Sequence, residues 1–429
     1  MRHTRTPEGL DEETSARLRA LPATEIAALV RSGEVDPARL VRACLTEIGA
    51  EFTLRAVLAR AEVPALRRAK RGVDGPLAGV PLLVKDLFDT AGVPTTYGSR
   101  IFSDHVPDRT ATAVQRLEDA GALVIGKANL HEFAWGLTGQ NPHWGFVENP
   151  VRPGCVSGGS SSGNAAALAA HLCALGIGSD TGGSLRVPAA CCQVVGFKPS
   201  HGRIPIDGCF PLAPSFDTVG PMGRTVRDCA VAYAAMVGES VPEPATGALK
   251  VGVLFDLPER ERLEGIGWKL IETQLPEPEA DLTPLFFHEC ALSHRDLFPA
   301  RRADYGPDTR MKWDAAFAVS AMDVVIAREA LERWRARAAQ EPDVDLLVSP
   351  VLSIDPPPID VWEPDVREPL SRYTRPFNYL GWPAIAIGGL QIAGRDDRTV
   401  LAAALAWEEA YGPPLREHAG SDAAAETAT

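Results

Sequence analysis

Two serines twenty-four positions apart, Ser160 and Ser184, sit in glycine-rich segments, and a lysine, Lys85, closes a short apolar run upstream. A serine nucleophile needs an exposed hydroxyl, a proton carrier within reach and bare backbone N–H groups that can hold an oxyanion. These residues could supply all of that without a histidine. Gly182 and Gly183 permit backbone angles that side chains resist, so the amides of Thr181, Gly182, Gly183 and Ser184 can turn toward one point. Burial disfavours the charged form of an amine, so Lys85 beside two hydroxyls can be neutral at pH 7 and accept a proton. Ser160 would then carry the proton of Ser184 to Lys85 and later return it to a leaving nitrogen.

Each piece also has a plainer reading. Residues 180–184 alone describe a tight turn, the glycine-serine run 157–163 a flexible linker, and a lysine at a strand end a solvated charge. Residues 159–163 also fit G-x-S-x-G, which would make Ser161 the nucleophile of an α/β-hydrolase-type esterase working with a histidine. That elbow must follow a strand, however, and residues 149–154 are punctuated by Pro150 and Pro153. The run also lacks the Gly-Lys-Ser/Thr of a phosphate loop. His288, Glu289, Cys290 and His294 match no common zinc spacing, and Cys191-Cys192 has no basic neighbour to activate a thiolate. Neither a metal nor an organic cofactor is expected.

The elements that must position these groups follow from periodicity. Residues 22–50 predict two helices, the second capped by Asp36 with Pro37 at its first position, as an N-terminal helical cover. Residues 77–86 predict a buried strand that delivers Lys85 at its end. A helix over 111–120 and a strand over 122–126 continue a strand-helix-strand succession, which implies an α/β fold: a large mixed, mostly parallel sheet with helices on both faces. Residues 164–175 read as an alanine-rich helix, 174–178 as a strand feeding the 179–184 turn, and Pro188 as the opening of the next helix. Residues 240–345 differ in character, with prolines and acids and then aromatic-rich helices, and suggest an insertion over the site. Within it and before it, Arg301, Arg302, Trp135, Trp144 and Trp313 are candidate pocket residues, with packing an equal explanation. Strands over 346–350 and 384–387 and a helix over 399–407 return the chain to the sheet.

One structural domain is expected, divided into the helical cover (1–66), the core (67–238), a helical lid (239–344), the C-terminal return (345–412) and a disordered tail (413–429). The chain has 429 residues, 45% hydrophobic and 23% charged, with a net charge of −13. That balance repels phosphate backbones and anionic lipid, so neither nucleic acid nor a membrane is expected as a partner. No secretory leader or run of eighteen apolar residues is found, and eight cysteines without a CxxC suggest buried thiols; the expected location is cytoplasmic.

Taken together, three separated segments resemble the amidase signature family: residues 79–86 its lysine strand, residues 158–167 and 178–190 its glycine- and serine-rich defining segment, and residues 195–199 the sequel. Similarity continues through 215–221 and 224–228, covering roughly residues 22–238 and, more faintly, 345–412. The resemblance implies a Ser-Ser-Lys triad with Ser184 as nucleophile, Ser160 as a bridging serine in cis-peptide geometry and Lys85 as base. It puts the oxyanion amides on Thr181, Gly182, Gly183 and Ser184, bracing hydrogen bonds on Asp180 and Arg186, and supporting hydroxyls on Ser161 and Ser179. The implied partner is a small-molecule carboxylic amide, hydrolysed through an acyl-Ser184 intermediate to release ammonia or an amine, with a homodimer as a possible assembly. Two departures from the family pattern stand out: a shortened connection at 388–394 and a short lid region. They favour a free-standing amide hydrolase over one chain of an amidotransferase; an acyl transferase using the same acyl-enzyme is the further alternative.

Overall fold

The computed structural model describes residues 10–414, so the tail expected from 413 lies, from residue 415 onward, outside the described residues. Its centre is one sheet of eleven strands. In chain order these are β1 (Val57–Arg60), β2 (Pro81–Lys85), β3 (Leu123–Ala128), β4 (Leu175–Asp180), β5 (Val195–Lys198) and β6 (Thr218–Gly223). They continue with β7 (Lys250–Val253), β8 (Lys269–Glu272), β9 (Leu346–Pro350), β10 (Ala384–Ile387) and β11 (Leu390–Gly394). The sheet order is β1-β3-β2-β4-β6-β5-β10-β11-β9-β7-β8. Every residue of β2, β3, β4, β5 and β6 is buried, as their near-continuous apolar or glycine composition requires of strands covered on both faces.

An α/β architecture is therefore present, but the sheet is not mostly parallel. Six of its ten strand pairings are antiparallel and four parallel. The strand-helix-strand succession holds around β2, β3 and β4. It is interrupted twice beyond β4, because β5 reaches β6 through the largely irregular segment 199–217 and β10 reaches β11 through a hairpin. That hairpin explains the shortened 388–394 connection. Ile387 pairs with Leu390, so only Gly388 and Gly389 make the turn, with Gly388 at φ +54°.

The expected helices form where their caps place them. Asp36 accepts a hydrogen bond from the amide of Ala38 at the start of helix Pro37–Ala50, whose Leu40, Val41, Cys44, Leu45 and Ile48 point inward. The alanine-rich helix is shorter than expected, Ser162–Ala169, and β4 runs on to Asp180, so Ser179 and Asp180 belong to the strand rather than the turn. Glycines let this helix lie close against β4. A β-carbon on Gly178 would meet the Ser161 hydroxyl at 2.7 Å, and one on Gly176 would meet the Asn164 amide at 2.7 Å. In the lid region, helices Thr283–Ser293, Pro307–Phe317 and Ala321–Ala338 pack on one another over the site. All eight cysteines are free thiols. No helix among the described residues is long and apolar enough to cross a membrane.

Candidate active site

Lys85 ends β2, between β3 and β4, and is fully buried. Its Nζ lies 2.8 Å from Ser160 Oγ, 2.9 Å from Ser179 Oγ and 3.5 Å from the Ser179 carbonyl oxygen. No carboxylate is paired with it among the described residues. Burial pushes the amine down from its ordinary value to about 7, against the pull of the Asp180 and Asp217 carboxylates. A solvated strand-end charge is therefore not what this lysine is. As a neutral amine, Nζ keeps a lone pair for the Ser160 hydroxyl and donates to Ser179.

Ser160 follows a cis Gly159–Ser160 peptide bond and is fully buried. Its carbonyl accepts from the His131 amide at 3.2 Å, and helix Ser162–Ala169 starts two residues later. Gly159 has no room for a side chain: a β-carbon there would stand 2.8 Å from the Gly136 carbonyl oxygen. The Ser161 amide donates to the Ser184 carbonyl at 3.3 Å, tying the two serine turns together. The Ser161 hydroxyl is buried and directed at the Ser179 carbonyl, 3.4 Å away. It does not line the cavity described below, and no strand precedes it, which removes the two things a nucleophile elbow at Ser161 would need.

Ser184 is reached through Thr181-Gly182-Gly183. Gly183 sits at φ +130°, and a β-carbon there would meet the Thr374 hydroxyl at 2.3 Å, so both conformation and space demand glycine. The four expected amides reduce to three. The Gly183 N–H donates to Asp180 Oδ1 at 2.7 Å, whereas the amides of Thr181, Gly182 and Ser184 have no partner among the described residues. A carboxylate that braces the loop has taken the fourth donor. The Leu185 amide donates to the other oxygen of Asp180 at 3.1 Å. The Ser184 hydroxyl, in a residue only 4% exposed, carries no hydrogen bond among the described residues.

Asp180 and Arg186 do what bracing requires. Arg186 donates through Nε and Nη2 to the two Asp180 oxygens at 3.0 and 2.9 Å, and through Nη1 to the Thr374 carbonyl and Gln391 Oε1, both at 2.8 Å. Burial alone would raise the Asp180 carboxyl, but the Arg186 guanidinium beside it holds it well below the usual carboxylate range. Asn378 donates from Nδ2 to Asp180 Oδ1 at 2.7 Å. Thr181 donates its hydroxyl to the buried Asp217 at 2.6 Å.

Thr181, Gly182 and Ser184 form one wall of a cavity of about 220 Å³. Phe286 and Phe287 of helix Thr283–Ser293, Arg367 of helix Glu363–Ser371 and Arg375 and Tyr379 of helix Arg375–Leu380 also line it. Helix Thr283–Ser293 thus contributes to the lining, but none of the five candidate pocket residues does. Arg301 pairs with Asp304 and Arg302 with Asp314 at the surface, and none of Trp135, Trp144 and Trp313 lines the cavity. Trp135 and Trp313 pack on each other in the core, with ring centroids 3.8 Å apart. His294 bonds the Tyr305 hydroxyl through Nδ1, and Glu289 accepts from the Ser215 amide, so the expected lid cluster is divided among separate partners.

The sequence profile of the Amidase family matches residues 40–262. A putative amidase, AmiD, of Mycobacterium tuberculosis is 32% identical over 95% of this chain and 97% of its own length. The chain belongs to the amidase family. A glutamyl-tRNA(Gln) amidotransferase chain of Akkermansia muciniphila is 34% identical over 65% of this chain, which spans 66% of that relative. A crystal structure of an amidase superposes with a TM-score of 0.81 at 32% identity, covering 91% of this chain and 99% of the other. As a member of this family the chain is an amidohydrolase.

In this amidase the residues that the sequence left unassigned come from the C-terminal return. Thr374, Asn378 and Gln391 all bond the Asp180–Arg186 pair or its loop, and Arg367 and Arg375 shape the cavity. Gln391 alone had a signal, its place in the shortened 388–394 segment. Asn378, Arg367 and Arg375 stand on short helices, where a polar residue reads as solvent-facing, and Thr374 lies in the turn between them.

Proposed function

We propose that this amidase cleaves the C–N bond of a small linear carboxylic amide through an acyl-enzyme on Ser184. Ser184 Oγ attacks the carbonyl carbon as its proton passes to Ser160, whose own proton passes to the neutral Nζ of Lys85. The amides of Thr181, Gly182 and Ser184 receive the oxyanion, and Asp180 with Arg186 holds that loop in shape. The C–N bond then breaks, with the proton returned through Ser160 to the leaving nitrogen as ammonia or an amine. Water attacks the ester, gives up a proton by the same relay, and releases the carboxylic acid with the Ser184 hydroxyl restored. The observation that carries this reading is the 2.8 Å contact between a buried lysine, free of any carboxylate, and Ser160.

The test is ammonia release from a panel of primary amides by the wild type and by Ser184→Ala, Ser160→Ala and Lys85→Ala. Each variant is expected to lose about 10³-fold or more in kcat, and mass spectrometry of the quenched wild type should show an acyl group on Ser184. Full activity of Ser184→Ala would overturn the assignment. The 34% identity to an amidotransferase chain favours one second reading, in which the released ammonia is passed to a partner chain. Co-purification of such a chain from the native source would support it; a free amidase fits better with the match to AmiD over 97% of that relative's length.

A further inference from the structure

We propose that the amide accepted by this site carries a carboxylate at its far end, held by Arg375 with help from Arg367. This rests on the Ser184 reading above and names the substrate class of that same site. One cavity is lined by Thr181, Gly182 and Ser184, by the rings of Phe286 and Phe287, and by the guanidinium-bearing Arg367 and Arg375. A cavity that offers both apolar rings and cations fits a short methylene chain that ends in an anion.

The cations are not satisfied by the protein. Arg375, half-buried at the start of helix Arg375–Leu380, donates from Nη2 to the Ser371 hydroxyl and has no carboxylate partner among the described residues. Arg186 shows the contrast, since its guanidinium fills every direction with a carboxylate, two side-chain amides and a carbonyl. Arg367 does meet Glu363, at 3.3 Å, but that carboxylate also takes the Lys312 ammonium at 2.9 Å and the Leu137 amide at 3.1 Å. Lys312 also pairs with Asp308 at 3.0 Å, so Arg367 and Lys312 share two carboxylates, whereas Arg375 is in contact with none among the described residues. Burial lowers the affinity of Arg375 for its proton and the neighbouring Arg367 adds to this, against the opposing pull of Tyr379, Glu368 and Asp281.

Glu368 also lines the cavity and attracts Arg375, but it is exposed and forms no ion pair with either arginine among the described residues, so solvent weakens that attraction. No carboxylate of the cavity is in contact with Arg375 among the described residues. A carboxylate there can accept two parallel N–H bonds from Arg375, the geometry in which a guanidinium binds anions best. The Tyr379 hydroxyl, in the same lining and without a hydrogen bond among the described residues, is a further donor.

The experiment compares glutaramate, the monoamide of a five-carbon dicarboxylic acid, with pentanamide, its neutral counterpart of equal chain length. Wild-type kcat/KM is expected to favour glutaramate by about tenfold or more, and Arg375→Gln to collapse that ratio toward one. A ratio near or below one in the wild type overturns the proposal. Binding is measured separately by calorimetry of glutarate on Ser184→Ala, where added Arg375→Gln should weaken affinity by about tenfold or more. If no amide is turned over but glutarate binds in this Arg375-dependent way, the catalytic reading falls and the carboxylate subsite stands. If amides are turned over but glutarate binding ignores Arg375, the subsite falls alone. Should Arg375→Gln not fold, competition of glutarate against neutral glutaramide on the wild type decides, with stronger inhibition by glutarate expected.

Discussion

On the proposed mechanism Lys85 sets the pH behaviour of the site. With its amine pushed down to about 7, lowering the pH through that value would add the proton that prevents it from acting as base. kcat/KM should therefore rise from pH 5.5, reach half its maximum near pH 7, and level off above pH 8. A profile flat across that range, with chemistry shown to limit the rate, would remove Lys85 from the relay. Gly183 gives a second residue-scale expectation. Gly183→Ala forces a β-carbon onto Thr374 in a backbone conformation that alanine resists, displacing the adjacent donors. Loss of one oxyanion donor typically costs about 2.7–4 kcal/mol, so kcat should fall by about 10²–10³ while the far-UV spectrum is retained.

At the scale of elements, the lid is fastened to the catalytic loop by buried charge. Lys312 of helix Pro307–Phe317 donates to Asp308 at 3.0 Å, to Glu363 at 2.9 Å and to the Trp135 carbonyl. Asp308 in turn meets His131 Nε2 at 2.8 Å, and the His131 amide bonds Ser160. Lys312→Met would leave Asp308 with His131 alone and Glu363 with Arg367 alone as charged partners, an expected loss of stability read as a lower urea midpoint. The strands, caps and serine turns of this framework were legible because apolar runs and glycine placement are local patterns. The wall of the cavity was not. Arg367 and Arg375 lie on short polar helices whose charges look solvated, and Asn378 and Gln391 meet Arg186 across about two hundred residues of chain, a distance no local pattern spans.

For the whole molecule, a buried neutral histidine contributes to acid sensitivity alongside His171 and the paired carboxylates Asp180, Asp308 and Glu363. Burial lowers His294 from 6.5 to about 3 in the fold, where Phe133, Tyr305 and Trp313 surround it. Below pH 6.5 the unfolded chain takes up a proton that the folded chain refuses, so stability falls as pH drops toward 3. Between pH 7 and pH 5 this one group should remove about 2 kcal/mol, and His294→Phe should flatten the dependence of the unfolding midpoint on pH. An unchanged slope in that variant would assign the acid sensitivity to other groups.

The sheet order has a consequence in time. β5, which follows the Ser184 turn, finds its outer neighbour only when β10 arrives, almost two hundred residues later, and Arg186 waits equally long for Asn378 and Gln391. On the ribosome, a nascent chain still lacking its C-terminal return would hold Lys85, Ser160 and Ser184 yet leave β5 with an open edge and the loop unbraced. Hydrolytic competence is thereby deferred until β10 and β11 have been made.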